Sequence, residues 1–186
     1  ALAERASQGL APGRRAVRGL FSGGTLCSEA LVLLEERLGT VRSNTRVEGG
    51  LGGPLPPGTH LCLDMGEEEF TRGRPHPMID PEPRAERIVR EARDPSVAVV
   101  LIDVVLGHGA HPDPAGVLAP PCKEAVESGA AVVAHVVGTD RDPQGLEAQE
   151  RALEDAGCIL APTNARAALL AAAIALRRPG IAEATP

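Results

Sequence analysis

The chain has 186 residues, a formal net charge of −6 and neither tryptophan nor tyrosine. A negative net charge and the lack of aromatic stacking residues argue against a nucleic-acid-binding protein. No apolar run is long enough to span a membrane, because the alanine-rich stretch 165–176 is short and predicts a packed helix. The length fits one domain, and a core of small aliphatic residues is typical of a parallel sheet with helices on both faces.

The four cysteines are far apart and form no CxxC motif. This spacing predicts reduced, half-buried thiols of a cytoplasmic protein rather than disulfides or zinc ligands. The chain opens with no signal peptide, which agrees with that location. We therefore expect no metal site.

The first elements are a strand, a glycine turn and a helix. An apolar run over residues 16–21 predicts the strand, and the segment 22–25, Ser-Gly-Gly-Thr, predicts the turn. Apolar residues at helical spacing from Leu26 onward predict a helix that ends at Leu38, before Gly39.

Beyond this helix, strands and helices alternate to the end of the chain. Residues 40–58 are rich in glycine and proline and predict a long irregular loop, and the prolines of segment 66–81 exclude regular structure there. Strands are predicted at 60–65, 97–105, 130–137 and 158–161, and helices at 82–93, 115–128, 146–156 and 165–177. Five strands in this alternation predict an α/β fold with a three-layer, open, parallel, doubly wound sheet.

The carboxyl edge of the predicted sheet is the expected place of a functional site. In doubly wound sheets, ligands bind beyond the carboxyl ends of the strands, where the strand order reverses. Four polar segments follow predicted strands and converge on this edge: residues 22–25, 65–80, 103–113 and 138–144.

Ser22, Gly23, Gly24 and Thr25 form the first candidate site, which binds an anion. Adjacent glycines let a ligand approach the backbone, and the free N–H groups and dipole of the following helix attract phosphate, carboxylate or thioester oxygens. The alternative is a structural turn in which Ser22 or Thr25 only caps the helix. The pattern of residues alone leaves both interpretations open.

The segment 65–80 holds a second group of candidates. Arg72, Arg74 and His76 are predicted to clamp a substrate carboxylate or phosphate, because a guanidinium group presents a planar fork of donors that matches such oxygens. In the alternative, Arg74 pairs with Asp80 and only fixes the proline-rich loop.

The predicted central strand and the loop after it hold two candidate catalytic residues. Asp103 is a candidate general base, or a group that orients an arginine or histidine; alternatively it only fixes the loop. His108 is a candidate phosphoryl acceptor, with His111 and Asp113 in the same loop, and a metal ion bound by these side chains is a further alternative. The alternative for this loop is a set of solvated residues with no ligand.

Thr139 and Gln144 follow the predicted strand 130–137. Their side chains are candidates for binding a substrate carboxylate or amide. Alternatively they cap the next helix, where Pro143 fixes the turn.

Several of these segments resemble a known superfamily. The run Ser22-Gly-Gly-Thr-Leu-Cys-Ser-Glu-Ala30 resembles the Ser-Gly-Thr-Leu-Thr-Tyr-Glu-Ala type segment of the succinyl-CoA ligase alpha subunit. The run Gly73-Arg-Pro-His-Pro-Met-Ile-Asp-Pro81 is similar to the FdrA family, a branch of the acyl-CoA synthetase (ADP- or GDP-forming) superfamily. Further segments that resemble FdrA are 101–107, 113–115 and 138–144.

The resemblance covers nearly the whole chain, from about residue 16 to 176. It implies a flavodoxin-like, C-terminal CoA-ligase domain over 16–178, with a linker or arm at 1–15 and a tail at 179–186. It also implies CoA and ATP/ADP or phosphate as cofactors, the N-terminal domains of a parent chain as partners, and a homodimer. Nucleic acid and membrane are not expected as partners.

The resemblance implies phosphoryl transfer but also shows a departure from it. The superfamily relays the phosphoryl group through a histidine in a Gly-His-Ala-Gly-Ala segment, whereas segment 138–144 contains no histidine, and Asp103 stands where a glutamate is expected. Three functions therefore stay open: an acyl-CoA synthetase-like domain that handles phosphate or acyl-phosphate at the glycine turn, a subunit of an oxamate-type carbamoyltransferase in purine (allantoin) breakdown, and a non-catalytic docking or dimerisation module. The small-molecule substrate is an acyl compound in the first and a carbamoyl compound in the second.

Overall fold

A six-stranded parallel sheet lies at the centre of the structure, a computed structural model that describes residues 2–46 and 55–185. The strands are β1 (Ala16–Phe21), β2 (Val41–Ser43), β3 (His60–Asp64), β4 (Val97–Val105), β5 (Ala131–Val137) and β6 (Ile159–Leu160). The helices are α1 (Leu2–Gln8), α2 (Gly24–Leu38), α3 (Glu68–Thr71), α4 (Glu82–Ala92), α5 (Pro114–Glu127), α6 (Leu146–Asp155) and α7 (Asn164–Leu176). Short 3₁₀ helices lie at Asn44–Arg46 and Pro179–Glu183.

Helices cover both faces of the sheet, whose strand order is β2-β3-β1-β4-β5-β6. Apolar residues of α1, α2 and α7 pack on one face, and those of α4, α5 and α6 pack on the other. Every residue of the central strand β4 except Val105 is buried, as expected for a strand with helices on both sides. The three-layer, parallel α/β fold is therefore confirmed.

The sheet has one strand more than the sequence indicates. Strand β2 lies inside the predicted loop 40–58, of which residues 47–54 are outside the described part. It pairs in parallel with β3, with Val41 opposite His60 and Ser43 opposite Cys62. Three residues are too few to show a period in the sequence, and the pairing with β3 makes them a strand.

The prediction that segment 66–81 contains no regular structure is wrong at one point. Residues Glu68–Thr71 form α3, a single helical turn. The prolines of the segment begin only at Pro75, so they do not constrain the backbone of this turn.

The four cysteines are free and buried rather than half-buried, because they lie in the apolar layers between the helices and the sheet. The alanine-rich helix α7 is packed as predicted, since residues 167–175 are all buried. Across the described ranges, no helix combines the length and the apolar character needed to cross a membrane.

The strand order reverses between β1 and β4. The chain leaves β1 into α2 on one face of the sheet and leaves β4 into α5 on the other face. The two connections diverge and open a crevice at the carboxyl ends of these neighbouring strands, which is the usual ligand position in this architecture.

Candidate functional site

Ser22 and Asp103 meet at the base of this crevice. Ser22 directly follows β1, and its backbone N–H donates to Oδ1 of Asp103 at 2.8 Å. The Ser22 hydroxyl donates to Oδ2 of the same carboxylate. Ser22 is 1% exposed and Asp103 is 0% exposed. Asp103 therefore holds the glycine turn in place, and its burial keeps it from acting as a base toward a ligand in this conformation.

Arg84 of α4 balances the charge of Asp103. Its Nη2 lies 3.0 Å from Asp103 Oδ1 and 3.0 Å from the carbonyl oxygen of Leu20, and it also donates to the carbonyl oxygen of Asp103. Arg84 is itself 2% exposed, and its Nε has no hydrogen-bond partner among the described residues. One side chain thus joins the ends of β1 and β4. It also gives the Asp103 carboxylate the countercharge and the hydrogen bond that a buried charge needs.

The N-terminus of α2 faces the crevice without a side-chain cap. Gly23 is the N-cap residue, and no described side chain accepts a hydrogen bond from the first turn of the helix. Ser22 does not cap, since its hydroxyl is committed to Asp103. The first backbone N–H groups of a helix have no partner within it, so this end presents free donors and the positive end of the dipole.

Neither glycine of the turn is required by an unusual backbone, and of the two only Gly24 is required for space. Gly23 has φ −168° and ψ 160°, an extended conformation that any residue adopts. A Cβ atom on Gly24 would lie 3.0 Å from Oδ2 of Asp64. Glycine at position 24 therefore allows the carboxylate of Asp64 to lie against the start of α2.

Asp64 is the second carboxylate of the site, at the end of β3. It is 5% exposed, and its Oδ1 accepts a hydrogen bond of 2.8 Å from the backbone N–H of Gly66. Burial raises the pKa of Asp64, and the neighbouring Glu67 and Asp103 add to the effect, while the Gly66 bond and the nearby His76 oppose it. Unlike Asp103, this carboxylate makes no ion pair with an arginine among the described residues.

His76 and Met78 bring the 65–80 segment to the glycine turn. A Cβ atom on Gly66 would lie 2.6 Å from His76 Nε2 and 3.0 Å from the carbonyl oxygen of Ser22. His76 Nδ1 accepts a bond of 3.3 Å from the Met78 N–H, and the Met78 methyl group lies near Gly23. The structure thus brings His76 to the site.

Arg72 and Arg74 lie in a different cleft, next to α4. Arg72 is exposed and pairs with Glu68 at 2.9 Å. Arg74 is exposed, and in the described part of the chain it makes no ion pair with Asp80. The alternative in which Arg74 pairs with Asp80 and fixes the proline-rich loop is therefore wrong.

The loop after β4 is held by Gln144. Its side-chain amide bonds to both the N–H and the carbonyl oxygen of Gly107, at 3.1 and 2.9 Å, and to the carbonyl oxygen of His111. His108 is exposed in this loop, whereas His111 Nδ1 accepts from the backbone of Asp113. Within the described ranges, no cluster of three acidic, cysteine or histidine side chains is arranged to hold a metal.

Thr139 and Asp142 bond to each other. The backbone N–H of Thr139 donates to Asp142 Oδ2 at 2.6 Å, and the Thr139 hydroxyl lies 3.1 Å from the same atom. Both residues are accessible to solvent at the edge of the sheet. This turn is closed by its own side chains. The alternative in which Thr139 or Gln144 caps the next helix is wrong, since the N-cap residue of α6 is Gly145 and the helix start has no side-chain cap.

Cys27 lies in the first turns of α2 but is not a reactive thiol. Burial and the neighbouring Asp64 carboxylate raise its pKa to about 12. A protonated, buried thiol is a poor nucleophile. The chemistry that the site supports is therefore anion binding by backbone N–H groups, tuned by Asp64 and His76.

Sequence reasoning missed Arg84 and Asp64. Arg84 has a signal in the sequence, since it stands at the same four-residue spacing as Ile88 and Ala92 on the buried face of α4. Asp64 ends an apolar strand, and Asp103 lies near the carboxyl end of another, so the criterion that selected Asp103 also applies to Asp64.

A family model described as CoA-ligase matches residues 20–174 of this chain. The chain is 45% identical over 170 residues to the uncharacterized protein YahF of Escherichia coli strain K12. The aligned part makes up 87% of this chain and 33% of that relative, so the chain spans about a third of the relative's length.

Proposed function

Because the chain belongs to the CoA-ligase family, we propose that this acyl-CoA synthetase-like domain holds a phosphate or acyl-phosphate group at the N-terminus of α2. The FdrA-type role, which the segments 73–81 and 138–144 suggest, is part of this proposal. The substrate and the activity of the whole protein depend on further regions, which the longer relative has and this chain does not align with.

The observation that supports phosphate binding is the uncapped start of α2 at the crevice between β1 and β4. Backbone N–H groups at a helix N-terminus, together with the helix dipole, form a common site for anions. Gly23 and Gly24 carry no side chain that would keep a ligand away from these groups.

The buried Ser22–Asp103–Arg84 network gives this site a fixed shape. Asp103 binds both the N–H and the hydroxyl of Ser22, so the residue before the turn cannot rotate to cap the helix itself. Donors that are already in place need no reorganisation when a transferring group gains charge, which is how such sites stabilise a transition state. His108, exposed after β4, stays a proposed acceptor if the reaction needs a phosphoryl relay.

Asp64 makes the proposed site dependent on pH. An ionised carboxylate beside Gly24 repels a bound anion, and the neutral acid does not. Because burial raises the pKa of Asp64, the neutral form persists to a higher pH than for an ordinary aspartate. Anion binding is therefore stronger on the acidic side of the Asp64 pKa.

Two substitutions at Gly24 test the proposal. Gly24→Pro removes one backbone donor, and proline is well accepted at the first position of a helix, after an extended residue such as Gly23. Gly24→Ala adds a Cβ at the same place but keeps the N–H, so it is the matched control. A charge-assisted hydrogen bond contributes about 1.5–3 kcal/mol, so phosphate affinity of the proline variant is expected to be about 10- to 100-fold lower than that of the alanine variant.

The affinity is measured by amide NMR, which also localises the ligand through shifts at Thr25 and Leu26. Acetyl phosphate and carbamoyl phosphate are titrated in parallel, because they separate the acyl-CoA synthetase function from carbamoyl transfer. Equal affinity of the two variants, or no binding by the wild-type chain, contradicts the proposal and favours the docking module.

A further inference from the structure

Residues 75–80 form a strap across the carboxyl edge of the sheet. At one end, the His76 ring lies against Gly66, two residues after β3. At the other end, the backbone N–H of His111, in the loop after β4, donates to the carbonyl oxygen of Met78 at 2.7 Å. Strand β1 lies between β3 and β4. The strap therefore passes over the end of β1, where α2 begins.

The strap has a fixed shape of its own. The backbone N–H groups of Ile79 and Asp80 both donate to the carbonyl oxygen of His76, at 2.8 and 3.0 Å. Nδ1 of the His76 ring accepts from the N–H of Met78 at 3.3 Å. The prolines on either side of His76 restrict the backbone further, because each proline ring fixes φ. The strap is thus a preformed turn that can move as one unit.

The side chain of Met78 fills the place of a helix cap. Its methyl carbon lies 3.7 Å from the position that a Cβ atom on Gly23 would occupy. Gly23 is the N-cap residue of α2, and a side chain at an N-cap normally turns back to accept from the N–H groups of the first turn. A methyl group cannot accept a hydrogen bond. Met78 therefore covers these donors without satisfying them.

A buried carboxyl oxygen faces the same space. Asp64 is 5% exposed, and its Oδ2 lies 3.0 Å from the position of a Cβ on Gly24. The hydrogen bond from Gly66 goes to the other oxygen, Oδ1, and Oδ2 has no bond within residues 2–46 and 55–185. A protonated carboxyl group is a donor as well as an acceptor. Under the strap, backbone donors and a carboxyl oxygen are thus both left without partners.

We propose that the strap is a gate over the α2 helix end, with Met78 as the residue that closes it. Met78 lies on Gly23 in the free chain and is displaced by the anion that binds there. This inference rests on the anion site proposed at α2 and adds the residue that controls access to it. Because the binding-competent state is the open one, the apparent affinity of the site is lowered by the fraction of chains that are closed.

Methionine methyl NMR detects the gate directly. The chain has two methionines, so selective ¹³C labelling of their methyl groups gives two signals, and Met78→Leu identifies one of them. Met65, at 2% exposure, is the internal reference. In the free chain we expect a nuclear Overhauser effect between the Met78 methyl and the α protons of Gly23. Inorganic phosphate is expected to abolish this effect and to shift the Met78 signal, with the same midpoint as the Thr25 amide.

Met78→Ala measures how strongly the gate opposes binding. Alanine is too short to cover the helix end, so phosphate affinity is expected to rise about fivefold. Ile79→Ala is the matched control, because Ile79 belongs to the same strap but is 53% exposed. It is expected to leave the affinity within about twofold of the wild type. Circular dichroism confirms the fold of each variant.

The outcomes separate the gate from the site beneath it. If the wild-type chain and Met78→Ala bind phosphate equally well, or Met78→Ala binds it more weakly, Met78 does not compete with the anion. The gate is then wrong, and the α2 proposal stands. A Met78 signal that stays unchanged while the Thr25 amide shifts also overturns the gate alone. If neither chain binds phosphate, both proposals are wrong.

Discussion

Asp64 is the last residue of β3 and Asp103 lies two residues before the end of β4, in the two strands that flank β1, and the two carboxylates differ in how their charge is balanced. Asp103 is fully buried and is bonded by Arg84 and by two groups of Ser22. Asp64 is nearly as buried, but among the described residues its carboxylate accepts one hydrogen bond, from the backbone N–H of Gly66. The first carboxylate therefore holds the crevice together, and the second is available to respond to pH and to a ligand.

The difference follows from which element covers each strand end. Helix α4 crosses behind β1 and β4 and delivers Arg84 to Asp103. The end of β3 is covered by the 65–80 segment, which delivers His76 and the Gly66 backbone instead. Equivalent positions in a parallel sheet can thus acquire opposite roles through their neighbours.

Loss of Arg84 is expected to have the largest effect. Arg84→Met leaves the Asp103 carboxylate buried without a countercharge, and such a change costs about 3–5 kcal/mol of the free energy of unfolding. Urea denaturation followed by circular dichroism measures the loss. Arg93→Met, which breaks the exposed pair with Glu124, is the control and is expected to cost less than about 1 kcal/mol.

The double variant Arg84→Met/Asp103→Asn sharpens this test. It removes both charges, so it is expected to be more stable than Arg84→Met alone. If the single variant loses less than about 1 kcal/mol, Asp103 does not depend on Arg84, and the contrast with Asp64 fails.

Gly66→Ala is expected to have an intermediate effect, in the region of Asp64. The added Cβ would meet His76 Nε2 at 2.6 Å and the Ser22 carbonyl oxygen at 3.0 Å, so the side chain and the backbone both have to move. Overpacking of this kind costs about 1–3 kcal/mol. The free energy of unfolding and the NMR signals of the His76 ring report the change.

Gly13→Ala is the matched control, because a Cβ at that position has no atom within 4 Å. We expect it to leave stability within about 0.5 kcal/mol of the wild type. A Gly66→Ala variant as stable as Gly13→Ala, with an unchanged His76 signal, would show that His76 does not pack against the turn.

Asp64→Asn is expected to have the smallest effect and the opposite sign. The pKa of Asp64 is raised in the folded state, so its ionisation weakens folding as the pH rises through that pKa. Asparagine avoids this and keeps an oxygen for the Gly66 N–H, so we expect the variant to gain about 0.5–1 kcal/mol at pH 7. The gain disappears below the ordinary aspartate pKa of 3.8, where the wild-type carboxyl is neutral in both states.

Sulfate binding provides a second measurement for Asp64. Sulfate keeps its charge across this pH range, so its wild-type affinity is expected to rise on acidification and to stay level in Asp64→Asn. Glu36→Gln removes an exposed charge at the other end of α2 and is the control, which is expected to keep the wild-type pH dependence. A destabilised Asp64→Asn variant with weaker sulfate binding would show that the ionised carboxylate is required.

The anion site was predictable in part because its signals are local. Ser22, Gly23, Gly24 and Thr25 follow an apolar run and precede a helical one, which predicts the turn and the exposed helix end. His76 was predicted as a binding residue, and the structure brings it to Gly66. Binding of a ligand by these residues stays a prediction.

Other predictions depended on contacts between distant segments and could not be resolved in advance. The residue pattern left two roles for Asp103, a general base or a residue that fixes the loop, and its bond to Ser22 shows a fixing role. The residue pattern left Gln144 open between substrate binding and helix capping, and its bonds hold the Gly107 loop instead. Arg74 does not pair with Asp80, because its side chain lines the cleft beside α4.

The sequence by itself determined the α/β class, the parallel sheet and the edge at which polar segments converge, since hydrophobic periodicity and glycine or proline signals are properties of short stretches. Only the tertiary structure decided that Asp103 is neutralised by Arg84, 19 residues away in sequence, that Asp64 is not neutralised in the same way, and that Arg72 and Arg74 line a cleft beside α4. These outcomes depend on which helix crosses which strand end, and charge balance in a buried site is set by that packing.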